Sequence, residues 1–239
     1  MSGETELVSI HGGVLRPLRR GNALEDTVSR LVQTIRLGVV APGESLLSER
    51  ELASRFGVSR DTVREAIKEL AEAGFLVSRR GRYGGTFVAD PLPTPTHPVP
   101  IEAAEFDDVL GMRRVLECGA AAASASRSLT AGERETLVTR NRDAQESSAA
   151  DYRRLDTLLH LTIAELSGIP TLFGLVAENR ARINEWLDTF PLLPRNVDHS
   201  DAQHEAVVAG ILAGSPDAAA SAMREHLAGS EALLRGFLA

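Results

Sequence analysis

A single cysteine, Cys118, stands in 239 residues, so no disulfide forms within the chain, and a reducing cytoplasm is the expected setting. Aromatic residues make up only 4% of the chain, while alanine is abundant between residues 102 and 235. Strands draw on aromatic and β-branched residues, and alanine is the best helix former. The balance therefore argues against a β-sandwich and for closely packed helices. Long hydrophobic runs are missing too. The longest reach a few residues, far short of the roughly 20 that cross a bilayer, so no membrane partner is expected. Residues 1–13 lack a basic segment followed by an apolar stretch, and no secretory signal is read there. Lysine is nearly absent: all but one of the 26 basic residues are arginine, Lys68 being the exception.

What remains is ordinary globular composition, 43% hydrophobic and 25% charged, which excludes a disordered chain. The net charge of -7 is unevenly spread. Residues 1–90 hold 13 Lys and Arg against 12 Asp and Glu, whereas residues 91–239 hold 13 against 21. An arginine-bearing first part on an acidic second part suggests two tasks, of which only the first meets a polyanion. Between them, Pro91, Pro93, Pro95, Pro98 and Pro100 stiffen the chain into a linker, because proline removes amide donors and holds its neighbours extended. The expected organisation is a flexible tail over 1–21, a first domain over 22–90, a linker over 91–101 and a second domain over 102–239.

In the first domain, Leu24, Val28, Leu31, Val32 and Ile35 recur at helical spacing and predict a helix over 23–38. Ser48 with Glu51 three residues later forms a capping box for a helix over 49–56 that Gly57 stops. Ser59 caps a third helix, from Arg60 to about Ala73. Two short strands, Phe75 to Arg80 and Thr86 to Ala89, flank a glycine-rich tip. Ala53 is small where two helices would cross steeply, Gly57 suits a turn that needs positive φ, and Val63 buries against the preceding helix. That order predicts a winged helix-turn-helix. Ser59, Arg60, Asp61 and Arg64 would lie on the exposed start of a recognition helix, with hydroxyls and amides on phosphates and arginines on guanine edges. Arg79, Arg80 and Arg82 would flank the wing. Taken singly, each of these charges is an ordinary solvated side chain; the combination points to DNA.

The run Pro42-Gly43-Glu44-Ser45-Leu46-Leu47-Ser48-Glu49-Arg50-Glu51-Leu52-Ala53 resembles the signature of GntR-type bacterial transcription regulators. So do Phe56 through Ala66 and Gly84-Gly85-Thr86-Phe87-Val88. The resemblance implies operator contacts from Arg50, Ser59, Arg60, Asp61, Thr62, Arg64, Arg80 and Gly81.

After the linker every segment reads helical. Helices are predicted from Phe106 to about Ser126, over 131–149, 151–167, 170–190 and near 200–213, and from Pro216 onward. The fold class is therefore mainly α: a winged helix-turn-helix followed by an antiparallel bundle of about six helices. Asp156 and His160 are i and i+4 and share a helix face. His204 and His226 sit on two further helices. Three imidazoles and a carboxylate suit Zn²⁺, Ni²⁺ or Mn²⁺, yet by spacing alone the histidines are equally core or surface residues, and the Asp/His pair a plain hydrogen bond. His11, His97 and His199 are read as solvated residues of loops and tails.

Asp107 through Glu117 is similar to the opening helix of the FCD effector domain found in FadR-like members of the same regulators. Asp156-Thr157-Leu158-Leu159-His160 resembles its Asp-x-x-Phe-His motif, and His204 and His226 resemble its last two histidines. Leu159 replaces the usual aromatic, and Ile169 replaces the asparagine of a Gly-Asn-Pro turn. The resemblance implies that Asp156, His160, His204 and His226 hold a divalent ion, and that Arg113 helps hold an acidic effector. The protein expected is thus a cytoplasmic regulator of repressor type and not an enzyme, acting as a homodimer on a palindromic operator under control of a small carboxylate metabolite. A purely structural metal and a metalloenzyme fused to a DNA-binding domain are the competing readings. Against the enzyme, His204-Glu205 lacks the second histidine of a metalloprotease motif, and Cys118 has no evident histidine partner.

Overall fold

A computed structural model describes residues 23–79, 81, 84–93, 103–188 and 192–238. The expected tail, most of the linker, Arg80, Arg82, His11 and His97 lie outside the described residues.

The first domain opens with α1 (Ala23–Arg36), whose Leu31 and Ile35 are fully buried. The capping box forms as the spacing predicts: Ser48 Oγ accepts from Glu51 N at 3.3 Å, and Glu51 Oε2 accepts from Ser48 N at 3.1 Å. It starts α2 (Glu49–Phe56), which ends at Gly57 with φ 69°, a conformation that favours glycine. Ser59 Oγ then accepts from Thr62 N at 3.0 Å and starts α3 (Arg60–Glu72). The wing is β1 (Leu76–Arg79) paired antiparallel with β2 (Gly85–Val88), Leu76 opposite Val88 and Arg79 opposite Gly85. Leu31, Ile35, Leu52, Val63, Ile67, Leu76 and Val88 form one core. Full burial of each such side chain contributes about 1.5–3 kcal/mol, and that core fixes the orientation of α3 on α1.

The bundle consists of α4 (Ala103–Ala125), α5 (Ala131–Gln145), α6 (Tyr152–Leu166), α7 (Pro170–Leu187), α8 (Pro194–Leu212) and α9 (Pro216–Leu238). Its core runs through Leu116, Leu137, Leu159, Ile163, Ile211 and Met223. Two helix bounds differ most from expectation. The predicted helix over 131–149 stops at Gln145, because Ser147 Oγ bonds the Ala144 carbonyl at 2.7 Å and Ser148 Oγ bonds Asp151, diverting the backbone from the helix. The fifth bundle helix starts at Pro194 rather than near residue 200. A proline at the first helical position loses an amide with no partner there, so Pro194 begins the helix instead of interrupting a loop. His199 is therefore helical, exposed as expected, with Nε2 3.1 Å from Gln203 Nε2.

The last two helices meet closely at Gly210. A Cβ there would lie 2.8 Å from the backbone N of Ala219, so only glycine lets α8 and α9 approach this far. His204 is on one of these helices and His226 on the other.

Among the described residues, no helix is long and apolar enough to cross a membrane.

Candidate functional site

On the first domain, Arg50, Ser59, Arg60, Asp61, Arg64 and Gly81 are exposed and Thr62 is half-buried. The arginines of α3 are already engaged: Arg64 reaches Asp61 Oδ1 at 2.9 Å and Glu49 Oε2 at 3.1 Å, and Arg60 comes within 3.9 Å of the same Glu49 oxygen. These carboxylates raise the pKa of Arg64, with the Glu49 hydrogen bond the largest cause. All three pairs are exposed and give way readily to a polyanion. At the wing, the Arg79 guanidinium stacks over the Phe87 ring at 4.4 Å, and Gly81 turns the hairpin with φ 109°.

The bundle brings Asp156, His160, His204 and His226 together, with one potential ligand atom from each inside a 4.8 Å span. His204 Nε2 lies 3.3 Å from His160 Nε2, 3.3 Å from His226 Nε2 and 3.3 Å from Asp156 Oδ1. Zinc bonds of about 2.0–2.1 Å at tetrahedral angles put neighbouring ligand atoms about 3.3–3.4 Å apart, so the donor set has the right chemistry for one ion and the three separations from His204 fit it, while His160 Nε2 and Asp156 Oδ1 are 3.7 Å apart. The histidines are 1–3% exposed. Burial, followed by the Arg180 charge, pushes His160 down to about 4. Burial and the neighbouring imidazoles likewise hold His226 well below the usual histidine range. Both rings are neutral near pH 7, the form that ligates metal.

Around these four sits a layer of buried charge. His160 Nδ1 donates to Glu117 Oε2. That fixes the tautomer and leaves the Nε2 lone pair facing His204. Glu117 Oε1 accepts from Arg113 Nε at 3.0 Å. The other Asp156 oxygen, Oδ2, accepts from Arg180, whose side chain is fully buried and also meets Thr157 Oγ1 at 3.3 Å. Burial opposes ionisation of both carboxyls. Arg180 together with His160 and His204 outweighs it at Asp156, and His160 with Arg113 and Arg180 outweighs it at Glu117; both pKa values fall well below the usual carboxylate range.

Arg113 is 3% exposed, and its Nη1 donates to Ser230 Oγ at 2.8 Å. It lines a cavity of about 80 Å³ together with Asp156, His226, Asn184 and Ser230. The residue singled out for an acidic effector and two of the four metal candidates thus face one space.

Sequence reasoning missed Arg180 and the supporting part of Glu117. Arg180 does leave a signal, because it falls on the stripe of Val176, Ala177 and Ile183, which are buried on α7. A charge on such a stripe needs a buried partner. Asn184, one turn further, donates to Thr157 Oγ1 at 3.0 Å.

A family model of bacterial regulatory proteins of the gntR family matches residues 24–88, and an FCD domain model matches residues 108–229. A regulatory protein named for the L-lactate dehydrogenase operon of Escherichia coli (strain K12) is 31% identical over 232 residues, covering 90% of this chain and 86% of that protein. The HTH-type transcriptional repressor NanR of Cronobacter sakazakii is 29% identical over 232 residues, covering 89% of this chain and 85% of NanR. Among solved structures, Escherichia coli McbR/YncC superposes with a TM-score of 0.58 at 19% identity, over 92% of this chain and 100% of that one. A GntR transcriptional regulator from Rhodococcus sp. RHA1 gives 0.52 at 23% identity, over 89% and 97%. At these identities the two structures speak to the fold alone.

Proposed function

The chain belongs to the GntR family of bacterial regulatory proteins, with an FCD domain behind its winged helix-turn-helix, and is a DNA-binding transcription regulator; from that premise we propose that a small carboxylate, held beside a divalent metal in the bundle, controls its grip on operator DNA. The observation that carries this reading is the convergence of Asp156, His160, His204 and His226 on one point beside the Arg113 cavity. The four side chains would hold the ion, which would supply a Lewis acid for a carboxylate oxygen. Arg113 offers a charged, planar fork for the same carboxylate.

Charge balance favours an acid over a purely structural metal. Arg113 and Arg180 are offset by Glu117 and Asp156 before any ion arrives. A divalent cation then leaves two positive charges in a poorly solvated space, and an anionic ligand neutralises part of that excess. Ser230 is only a neutral partner for Arg113 Nη1, and an incoming carboxylate makes the stronger, charge-assisted bond.

The DNA-reading set is Arg50, Ser59, Arg60, Asp61, Thr62 and Arg64 with the Gly81 tip; Arg80 lies outside the described residues. Met112 and Val115 lie on α4 with 46% and 71% of their surfaces exposed, and a Cβ on Gly119 of the same helix would meet open space. That apolar, smooth face suits pairing with a second copy. A homodimer would set the spacing of two recognition helices on a palindromic operator, in the cytoplasm and in repressor fashion. The acid acts by binding one arrangement of the helices better than another. No enzymatic role is assigned: among the described residues, Asp156 and Glu117, the carboxylates within the cluster, are tied to Arg180, Arg113 and His160.

The test is operator selection from random duplexes, followed by titration with and without added acid in protein loaded with Zn²⁺, Ni²⁺ or Mn²⁺. The reading predicts an acid-dependent change in affinity that disappears in Arg113→Ala. Equal responses in wild type and Arg113→Ala would reject it.

A further inference from the structure

The cavity is lined by a polar set and an apolar set of side chains. The polar set is Arg113, Asp156, Asn184, His226 and Ser230. The apolar set is Leu187 at the end of α7, Leu192 and Leu193 just before α8, Val197 in the first turns of α8, and Leu233 of α9. Arg113 and His226 are 3% exposed, whereas Leu193 is 37% exposed, so the guanidinium lies deeper than Leu193. Two further polar side chains line the wall but have other partners. The Tyr152 hydroxyl donates to Asp201 Oδ1 at 3.3 Å, and Arg153 is 3.8 Å from Asp188 Oδ1. Asn196 and Ser200 stand at the rim.

Resting on the proposed reading of this site, we propose that its effector is a short aliphatic monocarboxylate, with the carboxylate at Arg113 and an unbranched apolar tail against Val197, Leu233 and the other leucines of the apolar set. One guanidinium matches one carboxylate. A second carboxylate or a hydroxyl set against Val197, Leu233 and the leucines would lose water there without gaining a partner from those side chains. The cavity of about 80 Å³ has room for on the order of five to eight non-hydrogen atoms, if each takes the 10–15 Å³ that a water needs. Three belong to the carboxylate, which leaves about two to five carbons of tail, hence acids of about three to six carbons.

The experiment is calorimetric titration of the full-length, metal-loaded protein with acetate, propanoate, butanoate and pentanoate, and with succinate and 4-hydroxybutanoate as polar counterparts. Affinity is expected to rise about fourfold per added methylene, and pentanoate to bind on the order of tenfold more tightly than 4-hydroxybutanoate, its near-isostere. Val197→Asn and Leu233→Asn, on different helices, are expected to flatten the chain-length series; should neither variant fold, the wild-type series decides alone. A flat or falling series, or succinate or 4-hydroxybutanoate binding as tightly as pentanoate, overturns the apolar-tail assignment while leaving a carboxylate site intact. If none of these acids binds, or if Arg113→Ala binds them as well as wild type does, the carboxylate site itself fails and the tail assignment with it.

Discussion

The imidazole Nδ1 of His160 donates to the carboxylate of Glu117, and this one bond decides which nitrogen of the ring is free to bind an ion. Glu117 also receives Arg113 on its other oxygen, so the same carboxylate orients a candidate metal ligand and the candidate effector arginine.

Glu117→Gln is expected to weaken metal binding about 10–100-fold, because an amide oxygen fixes the His160 tautomer less firmly. It also removes the counter-charge of Arg113 and Arg180, both buried. Breaking such buried pairs costs about 3–5 kcal/mol, so the melting temperature should fall markedly. Competition with a chromophoric chelator and a denaturant titration measure the two effects. A variant with wild-type metal affinity would show that the Glu117 bond is incidental.

Gly210→Ala should destabilise the bundle by about 1–3 kcal/mol, since its Cβ must displace the backbone of Ala219. Because Gly210 sets the spacing between α8 and α9, His204 and His226 move apart and metal affinity falls as well. Denaturation curves that superimpose on wild type would mean that the two helices tolerate a wider separation.

Much of this architecture was legible in the sequence because its determinants are local. Ser48 with Glu51, Gly57 after Phe56, Ser59 before Arg60 and Pro216 each act within one turn of where they stand, and all four mark element ends in the structure. The start of α8 at Pro194 is not legible in the sequence, because proline ends one helix and starts another with equal ease, and only packing of the first turns of α8 distinguishes the two. The spacing of Asp156 and His160 shows that they share a face, but nothing in one dimension shows that His204 and His226 meet them. Arg180 is hardest to see: its partners Asp156 and Thr157 belong to α6, 24 and 23 residues away.

On α3, Arg60→Ala and Arg64→Ala should each cost specific operator binding about 1–3 kcal/mol, the worth of a good base contact. Both side chains are more than half exposed, so stability should stay within about 0.5 kcal/mol of wild type. Glu49→Gln should act in the opposite sense on affinity for any duplex, since it releases Arg60, leaves Arg64 with Asp61 as its one carboxylate, and removes a charge that phosphates repel. Anisotropy titrations on the selected duplex and on a scrambled one read both effects; unchanged specific affinity in the two arginine variants would move the DNA-reading surface elsewhere.

Arg36 at the end of α1 pairs with Glu185 on α7, next to the cavity residue Asn184. Leu37 is buried in the core of the bundle, and Arg154 packs against Gly38. This contact joins the helix that carries α3 to the helix that borders the ligand space. Glu185→Gln should leave stability nearly unchanged, as the pair is partly exposed, but reduce the change in DNA affinity that an acid produces. Since coupling is reciprocal, the effect of DNA on acid binding should shrink by the same factor. Full coupling in the variant would exclude this contact from the route.

The central claim is that Asp156, His160, His204 and His226 form one metal centre, and the most direct test is elemental analysis of full-length protein equilibrated with Zn²⁺, Ni²⁺ or Mn²⁺ and then freed of unbound ion. The predicted result is near-stoichiometric metal in wild type and a strong reduction in His204→Ala and His226→Ala that remain folded. Wild-type protein that retains none of the three ions, or alanine variants that retain as much as wild type, would contradict it.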